Sequence, residues 1–165
     1  MRILALTFTL FAFPVAAQDL NFSPAGTEAC LANAVEYEAK RACVGVSADQ
    51  CMTNTPGGYS TYGMGGCLSA ELEYWDAKLN AVYADVVAET RRSDAEMASL
   101  GANVASQEDA LRAMQRAWIT FRDATCDYEY SQWGGGTGGG PAIASCLMRM
   151  TGDQTLYLDY SRLGG

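Results

Sequence analysis

Six cysteines, Cys30, Cys43, Cys51, Cys67, Cys126 and Cys146, limit what this chain can fold into more than any other feature. They follow an N-terminus that reads as an export signal. Arg2 supplies positive charge, Ile3 to Phe13 is an almost unbroken apolar run, and Pro14 with Val15-Ala16-Ala17 offers a small-residue cleavage site. The run falls short of the roughly 20 apolar residues that a membrane-spanning helix needs. An even cysteine count in an exported chain reads as three disulfides, and the fifteen ways of pairing six cysteines stay open. A zinc site lacks ligands, because the chain has no CxxC and no histidine.

The missing histidine also excludes Ser-His-Asp, Cys-His and histidine-based metal chemistry. No metal or cofactor is expected, and an enzyme is not. Cleavage after Ala17 leaves residues 18–165, the size of one ordinary domain. The net charge of −8 becomes −9 once Arg2 departs with the leader. That acidity argues against nucleic acid and anionic lipid, keeps a secreted protein soluble, and suits a basic protein partner. No later segment is apolar and long enough to span a membrane, so a periplasmic or secreted protein is expected.

Helical periodicity organises most of the rest. Thr27 is placed to cap a first helix running to about Ala42. Residues 44–66 read as a loop, with Asn54, Pro56, Gly57, Gly58, Gly63, Gly65 and Gly66. Residues 67–90 form an amphipathic helix with Leu68, Leu72, Trp75, Leu79, Val82 and Val86 on one stripe, closed by Arg91-Arg92-Ser93. Ser106-Gln107-Glu108-Asp109 resembles a capping box opening a helix to about Tyr130. A glycine-rich segment follows Trp133, and Pro141 suits the first turn of a last helix reaching about Arg162, with Gly152 a weak spot in it. The expected fold is all-α: a small disulfide-stapled bundle of about four helices with long loops.

Three groups of residues bear on function. Glu71, Glu73 and Asp76 are paired carboxylates of a kind used in glycoside hydrolysis. Residues on one helix cannot flank a bond from both sides, so a solvated helix face is the reading preferred. Gln115, Trp118, Arg122 and Asp123 form a second group: the first three fall on neighbouring faces of one helix, and Arg122 is expected to pair with Glu71 or Asp76 in a structural network. Trp133 and Gly135 sit at the glycine segment, which is either a slack connection or a binding loop; Tyr59 and Tyr62 are further candidate contacts. A Cys126–Cys146 bridge would close a loop worth roughly 3 kcal/mol.

Two blocks carry a family resemblance. One is CLSAELEYWDAKLNAVY at 67–83, with Asp76, Asn80 and Tyr83; the other is LRAMQRAWITFRDATC at 111–126, with Gln115, Trp118, Arg122, Asp123 and Cys126. Cys146-Leu147 followed by Thr151 completes the pattern. Together they resemble the LprI-type lysozyme-inhibitor domain family over about 67–160. The resemblance implies an extracytoplasmic helical domain with a Cys126–Cys146 disulfide, whose motif residues are mainly fold determinants. Where the family usually carries arginine, this chain has Gln154, which departs from any ion pair there. The remaining cysteines are assigned to a nested arrangement, Cys43–Cys51 inside Cys30–Cys67.

The domain reading that follows is a signal peptide at 1–17, an N-terminal helix and cysteine-containing extension at 18–66, and an LprI-like helical domain at 67–165. The resemblance implies a non-enzymatic inhibitor of a basic lysozyme-like protein. The alternative is an envelope structural or accessory module without a lysozyme target.

Overall fold

The computed structural model describes residues 19–162; the signal-peptide assignment lies outside them. Six helices follow one another: α1 (Ala25–Asn33), α2 (Tyr37–Arg41), α3 (Val46–Asn54), α4 (Thr61–Ser99), α5 (Gln107–Ser131) and α6 (Gly139–Arg162). No strand occurs among the described residues. All six cysteines are paired, as Cys30–Cys43, Cys51–Cys67 and Cys126–Cys146.

The all-α disulfide-bonded architecture and the Cys126–Cys146 bridge agree with expectation; the nested pairing does not. Helix geometry explains the difference. A continuous helix over 27–42 would hold residues 30 and 43 about 20 Å apart. Their Cα atoms lie 5.6 Å apart instead. The chain therefore turns back at the extended residues Ala34 and Glu36, splitting the expected helix into α1 and α2. Residues 44–66 are not a loop, because α3 occupies their middle and α4 already begins at Thr61. Helix α3 carries Cys51 away from Cys43 and lays it against Cys67 on α4.

The glycines that suggested a loop serve close packing. A Cβ on Gly63 would lie 2.6 Å from the Cα of Gly58, so the first turn of α4 tolerates no side chain there. Ser60 caps that turn by accepting from the Gly63 N–H at 3.1 Å. Gly152, a weak spot in sequence terms, is where α6 meets its neighbours: a Cβ would sit 2.8 Å from both Val44 methyls and 3.3 Å from the Trp75 ring.

Helix α4 is the spine. At 39 residues it extends about 58 Å. Its first half packs against α3 and α6 through Ala48, Leu68, Trp75, Ala144, Met148 and Leu156. Its second half meets α5 and α6 through Leu79, Val86 and Leu158, with Leu111, Met114 and Trp118 packed on them. Helices α4 and α6 run parallel and α5 antiparallel to both. A third cluster, Cys51, Met52 and Cys67, is covered by Leu20 and Phe22 from the N-terminal strap. The strap is held by Asn21, whose backbone N–H donates to Thr55 Oγ1 at 3.0 Å and whose side-chain amide donates to the Asn54 carbonyl at 2.8 Å.

Glu71 departs most sharply from the expected solvated face, being fully buried. Its Oε1 accepts from Thr27 Oγ1 (2.8 Å), the Gly45 N–H (2.8 Å) and Trp75 Nε1 (3.0 Å). Its Oε2 accepts from the Ala48 N–H at 2.6 Å. The carboxylate thus caps the N-terminus of α3, whose cap residue Gly45 adopts a φ of 101° that favours glycine. Thr27 and Ser47 bond reciprocally: each backbone N–H donates to the other's hydroxyl, at 2.9 and 3.1 Å.

At the far end, α4 continues past Arg91-Arg92-Ser93, where it was expected to stop. Asp94 there accepts from the Gln107 N–H (2.8 Å), the Glu108 N–H (3.1 Å) and Ser106 Oγ (2.7 Å), capping α5 from outside. The expected Ser106 cap is present too, its Oγ accepting from the Asp109 N–H at 3.1 Å. These backbone and hydroxyl donors, backbone first, hold the Asp94 carboxyl below its ordinary value. Hydrogen bonds from Arg91 and then Arg112 do the same for Glu108.

Two outcomes follow from this packing. Glu71→Ala leaves four donors without an acceptor and is expected to cost about 3–5 kcal/mol in guanidinium unfolding. The lowered Asp94 and Glu108 values stabilise the folded state above the ordinary carboxylate range, and that contribution is lost as pH falls through the lower folded values. Amide exchange at residues 107–110 is therefore expected to gain protection, beyond intrinsic exchange rates, as pH rises from the lowered folded values up to the ordinary carboxylate range of about 4, and Asp94→Asn is expected to remove much of that gain.

Candidate functional site

The glycine-rich segment is a compact turn between α5 and α6, stapled by the Cys126–Cys146 bridge. Gly134 and Gly135 take φ values of 54° and 83°, a region other residues rarely enter. The Gly136 N–H donates to the Trp133 carbonyl at 2.8 Å, and the Trp133 N–H to the Tyr130 carbonyl at 3.1 Å. The indole of Trp133 lies over Gly138, where an added Cβ would clash with its six-membered ring. Trp133 is nonetheless half exposed.

Tyr62, in the first turn of α4, comes to the same end of the molecule. It shares an open groove of about 370 Å³ with Gly65, Ser69, Gly140 and Pro141. Tyr62 and the start of α6 are far apart in sequence, and the parallel run of α4 and α6 brings them together. Tyr59 is exposed but tethered to α3, its hydroxyl 3.0 Å from Thr53 Oγ1.

The family-type motif residues divide into two sets. Gln115 is buried and accepts from Gln154 Nε2 at 2.9 Å, a neutral amide pair where an arginine would bring charge. Trp118 and Tyr83 pack on the Leu79–Val86–Leu158 cluster. These residues hold helices together. Asp76 and Asn80 instead face solvent, linked by Asn80 Nδ2 donating to Asp76 Oδ2 at 3.1 Å.

Arg122 does not pair with Glu71 or Asp76, as the spacing suggested. Glu71 is committed to α3, and Arg122 forms an ion pair with Asp123 at 2.8 Å while its guanidinium lies 5.0 Å from the Trp118 ring centroid. Arg122, Asp76 and Asn80 nevertheless line one cleft of about 540 Å³ together with Glu73, Leu72, Ala77 and Leu147. Helical periodicity marked the α4 residues; Leu147 belongs to α6, and only tertiary packing places it there. No group of residues suited to holding a metal ion occurs among the described residues. No described helix is long and apolar enough to cross a membrane.

The chain is thus a disulfide-bonded helical domain with exposed aromatic side chains at one end and a polar cleft along its side. The model of the family described as lysozyme inhibitor LprI matches residues 51–158, and the chain belongs to that family. It is 33% identical over 92 residues to an uncharacterised protein of Rhizobium meliloti (strain 1021), covering 56% of this chain and 66% of that protein, just under two thirds of its length. An uncharacterised 17.7 kDa protein in the puhA 5′ region of Rhodobacter capsulatus is 26% identical over 166 residues, covering 99% of both chains. No solved structure matches.

Because the indole occupies the space above Gly138, Gly138→Ala is expected to push Trp133 outward. The check is a red-shifted tryptophan emission that disappears when Trp133→Phe is added.

Proposed function

We propose that this protein works outside the cytoplasm as a non-enzymatic inhibitor of lysozyme-like hydrolases, docking through the end that carries Trp133, Gly135 and Tyr62. The observation that carries this reading is the meeting of Tyr62 with the start of α6, beside an exposed tryptophan on a stapled turn. Rigid aromatic side chains give large contact area at small entropic cost, which suits insertion into a cleft. Family membership supports the target class, and three disulfides support an oxidising compartment. The acidic chain, at −8, complements a basic hydrolase.

The test is inhibition of a c-type lysozyme by the oxidised protein at low and high salt. Inhibition near stoichiometry that weakens with salt is expected. Trp133→Ala is expected to weaken it about tenfold or more while leaving the unfolding midpoint nearly unchanged, since the ring is half exposed. The second reading, an envelope accessory module without a lysozyme target, is favoured by the burial of Gln115 and the core packing of Trp118, which give those motif residues to the fold. Wild-type protein without salt-sensitive inhibition would select it.

A further inference from the structure

We propose that the cleft between α4 and α5 is a docking site for a lysine or arginine side chain of a basic protein partner. The partner's identity rests on the lysozyme-inhibitor reading; the chemistry of the cleft does not. Two blocks of sequence supply motif residues that the core does not use, and they converge here. Asp76 and Asn80 are exposed on α4, and Arg122 reaches the same space from α5.

Acceptors outnumber donors in the cleft. Asp76 gives one oxygen to Asn80 and keeps the other free. Glu73, one turn earlier on the same helix, has no hydrogen-bond or ion-pair partner among the described residues. The side-chain oxygen of Asn80 accepts nothing within the described residues. Arg122 directs Nε and one terminal nitrogen to Asp123, so its charge is largely met before a ligand arrives. The polar lining is therefore anionic and short of donors, while Leu72, Ala77 and Leu147 add apolar surface to the cleft.

A ligand that fits has a long aliphatic stem ending in a cationic group rich in N–H donors. Lysine and arginine side chains have that form: methylenes for the apolar lining and a charged head for Asp76 and Glu73. Charge complementarity points the same way, since the whole chain is acidic at −8. The volume of about 540 Å³ admits such a side chain together with part of the segment that bears it. The remaining Arg122 nitrogen is free to donate to a main-chain carbonyl of that segment.

The experiment titrates the isotope-labelled, oxidised protein with N-acetylarginine methylamide and, in parallel, with the uncharged N-acetylglutamine methylamide. Saturable amide shifts confined to residues around Asp76, Asn80, Arg122 and Leu147 are expected with the arginine probe only. Binding is expected to weaken at least fivefold in the E73Q/D76N double variant, whose substitutions are on the surface and leave the core intact. Equal responses to the two probes, or shifts away from the cleft, would overturn the assignment. Lysozyme binding by the wild type and the double variant separates the two readings. Probe binding without lysozyme binding retires the lysozyme target and leaves the cleft with another basic partner. Lysozyme binding that the double variant retains within twofold overturns the cleft's part in docking.

Discussion

The buried carboxylate of Glu71 is the interaction on which the N-terminal half of the molecule depends. A carboxylate removed from water is costly unless its oxygens are fully engaged. Four donors from three separate segments engage them: Thr27 from α1, Gly45 and Ala48 at the start of α3, and Trp75 one turn along α4. Because one residue of α4 satisfies backbone groups at the start of α3, α3 has one preferred position on the spine. That position sets Cys51 opposite Cys67, and the Cys30–Cys43 bridge then fastens α1 and α2 to the same block. The disulfides lock an arrangement whose geometry the polar network specifies.

The long α4 helix divides the protein into two regions with different chemistry. Around Trp75 it is enclosed by α1, α3 and α6, and polar groups there, including Thr27, Ser47, Thr151 and Thr155, are buried. Toward its C-terminal end it projects with α5 past the end of α6, held by the Asp94 cap and the Arg91–Glu108–Arg112 ion pairs. Partly buried carboxylates secure that projection. The enclosed region instead rests on apolar burial, disulfides and the Glu71 network.

Both candidate surfaces follow from the parallel packing of α4 and α6. The first turns of these helices place Tyr62 beside Gly140 and Pro141, next to the turn that presents Trp133. Further along, α6 supplies Leu147 to a cleft whose other lining residues belong to α4 and α5. The two surfaces draw on different chemistry, aromatic at the end and anionic along the side.

The sequence by itself determined that the protein is helical, bridged by three disulfides and a member of a recognisable family. The period of Leu68, Leu72, Trp75 and Leu79, the even cysteine count, and the motif around Gln115, Trp118 and Cys126 are local signals that survive without knowledge of contacts. It also located the Ser106 cap, whose acceptor lies three residues from its donor. Tertiary structure alone decided the pairing of Cys30, Cys43, Cys51 and Cys67, the helical state of residues 46–54, and the burial of Glu71. It also decided that Arg122 turns to Asp123. Each of these depends on donors or neighbours far away in the chain. A glutamate on an amphipathic helix looks solvated until the start of another helix, more than twenty residues earlier, needs an acceptor in that place.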